Sequence, residues 1–374
     1  MRTRVREEPW VAGGGSGRGP LGSRRDRRWV SLAATGAIVV AAVAIGWVYS
    51  RDTGARPPAP RTTPSPVSRF TGPSHLVLFA VLAKPEPFVA LVGSMGGQPP
   101  AVVDVPARLV LTLPGAGSGT VADAVAAPGP LFTASVSNAL GTWVPHESIT
   151  DLAGLARIVD GAGGVSVDLV QPVEVDGREI GPGPVTMDGR LASAFLRGAA
   201  GLAPAERWQE LLVALFRSGL SAQADDFTQV DDPASVLAVF AEARAPRYRE
   251  LPATPSEGRL LVPDDPAIRR TLSSVLGIQT KPPVGVVVLN GSGVPGVGET
   301  VAARLVPGGF RIVASGNAQT FDHQVTEIVA TTDQAEAQAK RVRRLLGVGT
   351  VVLGAGTSGL ADITIVVGRD LTAA

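Results

Sequence analysis

Between His75 and Leu82, and again over residues 88–92, apolar side chains run almost without interruption, as expected of strands buried on both faces. Residues 101–105 and 109–113 predict a second pair of strands. The period then lengthens. Residues 120–127 and 131–140 read as helices, and residues 151–159 place Leu152, Leu155, Ile158 and Val159 at helical spacing. Gly161, Gly163 and Gly164 stop that helix, and Val165-Ser166-Val167-Asp168-Leu169 alternates as a strand. Four more helices are predicted over 187–196, 205–220, 233–243 and 266–276. Pro233 and Pro266 suit a first helical turn, each following a pair of aspartates. A joint at 280–283 precedes a shorter pattern. It reads as strand 284–289, helix 296–305 and strand 310–314, then strand 325–330, helix 334–346 and strands 350–353 and 363–367. The chain is therefore α/β, with a large domain over 70–278 and a small α/β sandwich over 283–370.

One segment fits neither period. Residues 29–50 hold no charged side chain, and residues 30–49 alone make a helix of about 30 Å, the thickness of a bilayer core. Trp29, Trp47 and Tyr49 sit near its ends, where interfacial aromatics are expected. Residues 1–28 carry eight Arg against Glu7, Glu8 and Asp26, a net of +5, and four of the Arg directly precede the span. The positive-inside rule then predicts a single-pass plasma-membrane protein. Residues 1–28 are its cytoplasmic basic tail, 29–50 its transmembrane helix and 51–69 a Pro-rich linker, with both domains extracytoplasmic.

Charge and composition narrow the chemistry. The whole chain of 374 residues has a net charge of +1, so the part beyond the tail is about −4 and is no nucleic-acid binder. Cys is absent, which excludes thiol catalysis, disulfides and thiolate metal sites. The three His (His75, His146 and His323) are far apart in sequence, so a multi-His metal centre is not expected. Arg and carboxylates remain as the groups able to do chemistry.

Gly291-Ser292-Gly293-Val294-Pro295-Gly296 satisfies the spacing of a phosphate-binding G-x-G-x-x-G loop between a strand and a helix. The next strand ends in Ser315-Gly316-Asn317, without the acid that would hold a ribose, and Pro295 suits a helix start. Gly291, Gly293 and Gly296 are thus expected to shape a turn, with weak anion binding at the helix start left open. No G-x-S-x-G elbow occurs, and His146, Glu147 and Ser148 read as loop surface. Arg197 and Arg207 flank a turn between two predicted helices. They are either two solvated side chains or a pair converging on a diphosphate.

Several stretches carry a family resemblance. Residues 155–168 (LARIVDGAGGVSVD), residues 187–197 (MDGRLASAFLR) and Ala205-Glu206-Arg207-Trp208-Gln209 resemble segments of the LytR-CpsA-Psr family. Val288-Leu289-Asn290-Gly291-Ser292-Gly293-Val294-Pro295-Gly296, Gly309-Phe310, Gly316-Asn317-Ala318 and residues 362–370 resemble the LytR C-terminal domain. The resemblance implies a membrane-anchored α-β-α domain that binds polyprenyl-diphosphate-linked polymers and transfers them to the cell wall, usually with Mg²⁺. Arg197, Arg207 and Arg108 become diphosphate-binding candidates, and Glu86 and Asp104 candidate metal ligands. The sequence also departs from the family pattern. The family's IPRD reads Val105-Pro106-Ala107-Arg108, a second arginine before Arg207 is replaced by Pro204, and an Asp by Gly201. Its Lys-x-Asn segment reads Thr120-Val121-Ala122. Phosphoryl transfer leans on such charges. The expected function is therefore non-catalytic binding of a lipid-linked wall polymer, the wall or an envelope partner. An active phosphotransferase, with Mg²⁺ required only in that case, is the alternative.

Overall fold

β1 (His75–Leu82) organises the first domain. Its residues 76–81 are all fully buried, and their side chains feed two different cores, one on each face of the sheet. The computed structural model describes residues 75–94, 99–127, 129–244, 246–279, 282–354 and 360–373. The expected tail, membrane span and linker (1–28, 29–50 and 51–69) lie outside them. Among the described residues, no helix is long and apolar enough to cross a membrane.

β1 pairs antiparallel with β2 (Phe88–Ser94), and β2 antiparallel with β3 (Ala101–Asp104). A hairpin of β4 (Val110–Leu113) and β5 (Gly117–Thr120) leads into α1 (Val121–Ala126), capped by Thr120, and then α2 (Leu131–Leu140). β6 (His146–Asp151) joins β1 in parallel, and its last residue caps α3 (Leu152–Gly161), with Asp151 accepting the Gly154 amide at 2.8 Å. β7 (Val165–Leu169) is followed by the hairpin β8 (Val173–Val175) and β9 (Arg178–Ile180), and then pairs with β10 (Gly183–Met187). α4 (Gly189–Gly198) and α5 (Pro204–Ser218) come next. β11 (Gln229–Val230) adds an edge to β6, and α6 (Pro233–Glu242) starts at the predicted proline under an Asp232 cap. β12 (Arg247–Glu250) closes the other edge beside β3. A hairpin of β13 (Ala253–Pro255) and β14 (Leu261–Pro263) precedes α7 (Asp265–Thr271), which continues as a π turn over Leu272–Leu276. The central sheet has the order β11-β6-β1-β2-β3-β12. α3 to α6 cover one face, and α1, α2 and α7 the other, giving an α-β-α sandwich.

The second domain is built from β15 (Val284–Asn290), α8 (Val297–Leu305), β16 (Phe310–Asn317), β17 (Glu327–Ala330), α9 (Asp333–Leu346), β18 (Thr350–Leu353), β19 (Ile363–Val367) and α10 (Asp370–Ala373). The two β-α-β halves form parallel pairs. β19 joins them, parallel to β15 and antiparallel to β17, in the order β16-β15-β19-β17-β18.

The joint at 280–283 separates two sheets but not two independent cores. All ten residues of α2 are buried, because α2 lies between the first domain's sheet and the second domain's edge strand β16. Phe132, Val136 and Leu140 belong to the first core, whereas Ala134 packs into that of the second domain. The Asn138 side-chain amide acts as a strand partner for β16. Its Nδ2 donates to the Ile312 carbonyl at 2.9 Å, and its Oδ1 accepts from the Ile312 amide at 2.8 Å. Arg311 Nε donates to the Asn138 carbonyl at 3.2 Å, and the same guanidinium pairs with Asp265 of α7. The turn between β4 and β5 presses on α8 so closely that a Cβ at Gly298 would lie 2.2 Å from the Gly115 nitrogen.

Candidate functional site

β1, β3, β6 and β12 run parallel to one another within the mixed sheet. Their carboxyl ends, at Leu82, Asp104, Asp151 and Glu250, therefore lie along one edge, the usual location of ligand sites in open α/β sheets. The loop before β2 brings Glu86 to this edge, and the chain leaving β3 brings Arg108. Phe88, the first residue of β2, stacks on Trp208 with ring centroids 5.5 Å apart. That contact holds the start of α5, and with it Arg207, at the same edge.

Behind Trp208, aromatic rings fill the layer between sheet and helices. Phe79 lies 6.0 Å from Trp208 and meets Phe240 edge-on at 5.4 Å, and Phe240 meets Phe216 edge-on at 5.6 Å. All four side chains are 1% exposed or less. Such pairs add roughly 0.5–1.5 kcal/mol each beyond area burial, so this layer is tightly held.

The candidate cations fare differently from one another. Arg207 is only 8% exposed. Its Nη1 donates to the Ala199 carbonyl at 2.6 Å and more distantly to that of Leu202 at 3.4 Å, tying the end of α4 to α5. Its buried Nε has no partner among the described residues, and burial pulls the guanidinium below its ordinary pKa. Arg108 Nε pairs with Glu86 Oε2 at 3.1 Å, both side chains being about two-fifths exposed. Arg197, on the last turn of α4, is exposed and makes no ion pair or side-chain hydrogen bond among the described residues.

The carboxylates at this edge are no better placed for a cation. Asp104 is 5% exposed, and its carboxyl is pushed from 3.8 up to about 7, chiefly by burial and then by the charge of Glu250 directly across on β12. The Trp208 indole N–H favours the charged form, although its geometry falls short of a hydrogen bond. Tyr248, two residues before Glu250, is shifted upward by burial and by the charges of Asp104 and Glu250. Mg²⁺ takes ionised, hydrated oxygen ligands in near-octahedral array. Glu86 pairs with Arg108, and no three His, Asp or Glu side chains are grouped to hold a metal among the described residues. Among the described residues, Glu86 and Asp104 are thus not joined by a third carboxylate or imidazole in a ready-made Mg²⁺ site.

Residues 146–148, expected as loop surface, instead begin β6, and Ser148 is fully buried and Glu147 nearly so. Thr133 Oγ1 and Gln229 Nε2 donate to the Glu147 carboxylate, which burial pushes above its ordinary range. These partners allow a charged residue into a central strand. In the glycine loop, Asn290 Oδ1 accepts the amides of Ser292 at 3.1 Å and Gly293 at 3.0 Å, while its Nδ2 donates to the Val294 carbonyl at 3.0 Å. The amides that would cradle a phosphate are used by Asn290. Gly293 and Gly296 adopt left-handed backbone (φ +73° and +85°), and a Cβ at Gly291 would strike the His323 ring at 2.7 Å.

Sequence reasoning missed Phe88, Trp208, Tyr248 and Glu250 as parts of this edge. Arg247-Tyr248-Arg249-Glu250 holds three charged residues and no alternating burial, so β12 carries no strand signal of its own.

Residues 283–371, which make up the second domain, match the family model described as LytR cell envelope-related transcriptional attenuator. Solved structures similar to the chain are LytR-CPS2A-Psr family proteins. They include YwtF (TagT) of Bacillus subtilis with bound octaprenyl pyrophosphate, at 17% identity over 57% of this chain and 96% of that one, with a TM-score of 0.45. TagV of B. subtilis matches at 17% identity over 55% and 98%, with a TM-score of 0.44, and TagU of B. subtilis at 16% over 55% and 98%, also 0.44. No curated protein sequence matches the chain.

Proposed function

We propose that this chain is a cell-envelope protein whose first domain binds a lipid-linked, diphosphate-bearing wall polymer without transferring it. The observation that carries the reading is the internal use of the cations at the sheet edge. Arg207 spends its Nη1 on two backbone carbonyls and Arg108 pairs through Nε with Glu86, so of the three candidates Arg197 is the one whose exposed guanidinium is wholly uncommitted among the described residues. Binding needs one or two such contacts. Phosphoryl transfer needs several groups placed around the reacting phosphorus, and the stabilisation they give is the larger part of the catalysis. The match of residues 283–371 to a cell envelope-related family supports the location. In this reading residues 29–50 anchor the chain in the plasma membrane with its N-terminus in the cytoplasm, which protease accessibility of tags at the two termini tests.

The functional test uses the full chain in detergent with a polyprenyl-diphosphate glycan and peptidoglycan, with and without Mg²⁺. The expected result is saturable binding, weakened by Arg197→Ala, and no transfer. Metal-dependent transfer that Arg197→Ala abolishes would establish the phosphotransferase reading instead.

A further inference from the structure

The C-terminal half of α9 carries Lys340, Arg341, Arg343 and Arg344, four cations in five residues, all exposed. Val342 and Leu346 turn inward and are buried, so the helix is fixed and its cationic side faces solvent. The ordinary explanation for cations there is the helix C-terminus, whose unpaired carbonyls attract positive charge. Here part of that need is met without these side chains. Arg304 of α8 reaches across and donates its Nη1 to the Leu346 carbonyl at 2.6 Å, and the Gly347 amide closes on the Arg343 carbonyl at 2.9 Å. Arg341 donates to the Gly308 carbonyl at 2.6 Å and lies over the Phe310 ring, 5.1 Å from its centroid. Arg343 and Arg344 make no ion pair and no side-chain hydrogen bond among the described residues, and Lys340 meets only Glu336 of its own helix.

Lys340, Arg343, Arg344 and Gly347 line a depression of about 430 Å³. Lys340 and Arg344 are one helical turn apart, with Arg343 beside them, so the three charges converge on the same space. This cluster stands on an acidic body. From residue 75 onward the chain has 22 Lys and Arg against 29 Asp and Glu, a net of −7. A general attraction for polyanions is therefore absent from the folded part, and a local one is concentrated at the end of α9.

We propose that this depression is a binding site for a phosphate-bearing linear polyanion. Two forked guanidiniums beside an ammonium suit successive phosphate groups, because each fork takes two oxygens of one phosphate while the ammonium acts as a point charge. The site belongs to the second domain and does not rest on the reading of the Asp104 edge.

The test uses the full chain in detergent with long-chain inorganic polyphosphate as the probe. Arginines are modified with phenylglyoxal and read by mass spectrometry, which separates α9 from the basic N-terminal residues. Polyphosphate is expected to protect Arg343 and Arg344 while leaving the exposed Arg178 and Arg190 reactive. Combined Lys340→Ala, Arg343→Ala and Arg344→Ala is expected to weaken polyphosphate affinity on the order of tenfold. Combined Arg178→Ala and Arg190→Ala should leave it unchanged. Equal modification of Arg343 and Arg344 with and without polyphosphate overturns the site. So does an equal loss of affinity in the Arg178/Arg190 variant, and equal protection by polyglutamate of the same charge overturns the phosphate assignment.

Discussion

Asp104 offers the sharpest test of the sheet edge, because its position makes a signed prediction about pH. Its carboxyl is 5% exposed and is pushed from 3.8 up to about 7, by burial first and by Glu250 second. The protonated form is thus favoured by folding. The stability this allows is fully present below the unfolded pKa and is lost as pH rises through 7. A shift of that size corresponds to roughly 4 kcal/mol once the group is fully ionised, and roughly 2–3 kcal/mol of it develops between pH 5 and pH 8. Asp104→Asn keeps the shape and removes the charge. The variant is therefore expected to gain stability relative to the parent as pH rises, by about 2 kcal/mol or more over that window. Urea denaturation of both proteins at pH 5, 6, 7 and 8, followed by near-ultraviolet circular dichroism, measures it. Glu250→Gln should give a smaller change of the same sign, because it removes the second cause and leaves the burial. Parallel pH profiles for the parent and Asp104→Asn would show that the carboxyl is solvated, and the account of this edge would fall with it.

The seam between the domains gives two more expectations. Asn138→Ala leaves the Ile312 amide and carbonyl without their partners in a buried position. It should cost roughly 2–3 kcal/mol in urea denaturation and speed amide exchange at Ile312. Gly298→Ala places a Cβ 2.2 Å from the Gly115 nitrogen and 2.4 Å from the Pro114 carbonyl carbon. Neither backbone can yield without parting the β4–β5 turn from α8, so a loss of about 1–3 kcal/mol is expected in thermal melts.

What could be read from the sequence divides along a physical line. The unbroken apolar run of β1 and the capped, periodic helices α3, α6 and α9 declare themselves, because their stability comes from neighbours within a few residues or from burial that any strand partner would provide. β6 did not, since His146-Glu147-Ser148 resembles a loop until its distant partners are known. Glu147 is satisfied by Thr133 and by Gln229, 82 positions away, and Thr150 by the Asp226 carbonyl, 76 positions away. Polar positions of α2 mislead for the same reason. Asn138 suggests a solvated helix face, yet it is paired with Ile312, 174 residues later. The arginines are the extreme case. Arg207 looks like an anion ligand in sequence, but the turn after α4 delivers the Ala199 carbonyl to its Nη1, so part of its fork is spent on backbone while its buried Nε has no partner among the described residues. Arg197, only ten positions earlier, receives no such partner. The role of an arginine is thus decided by which acceptor the fold brings to it, and that depends on turns and packing rather than on the residue's own neighbourhood. Exposed cations without a partner among the described residues, such as Arg197 after α4 and Arg343 and Arg344 on α9, are therefore better candidates for anionic ligands than their sequence neighbourhood alone can show.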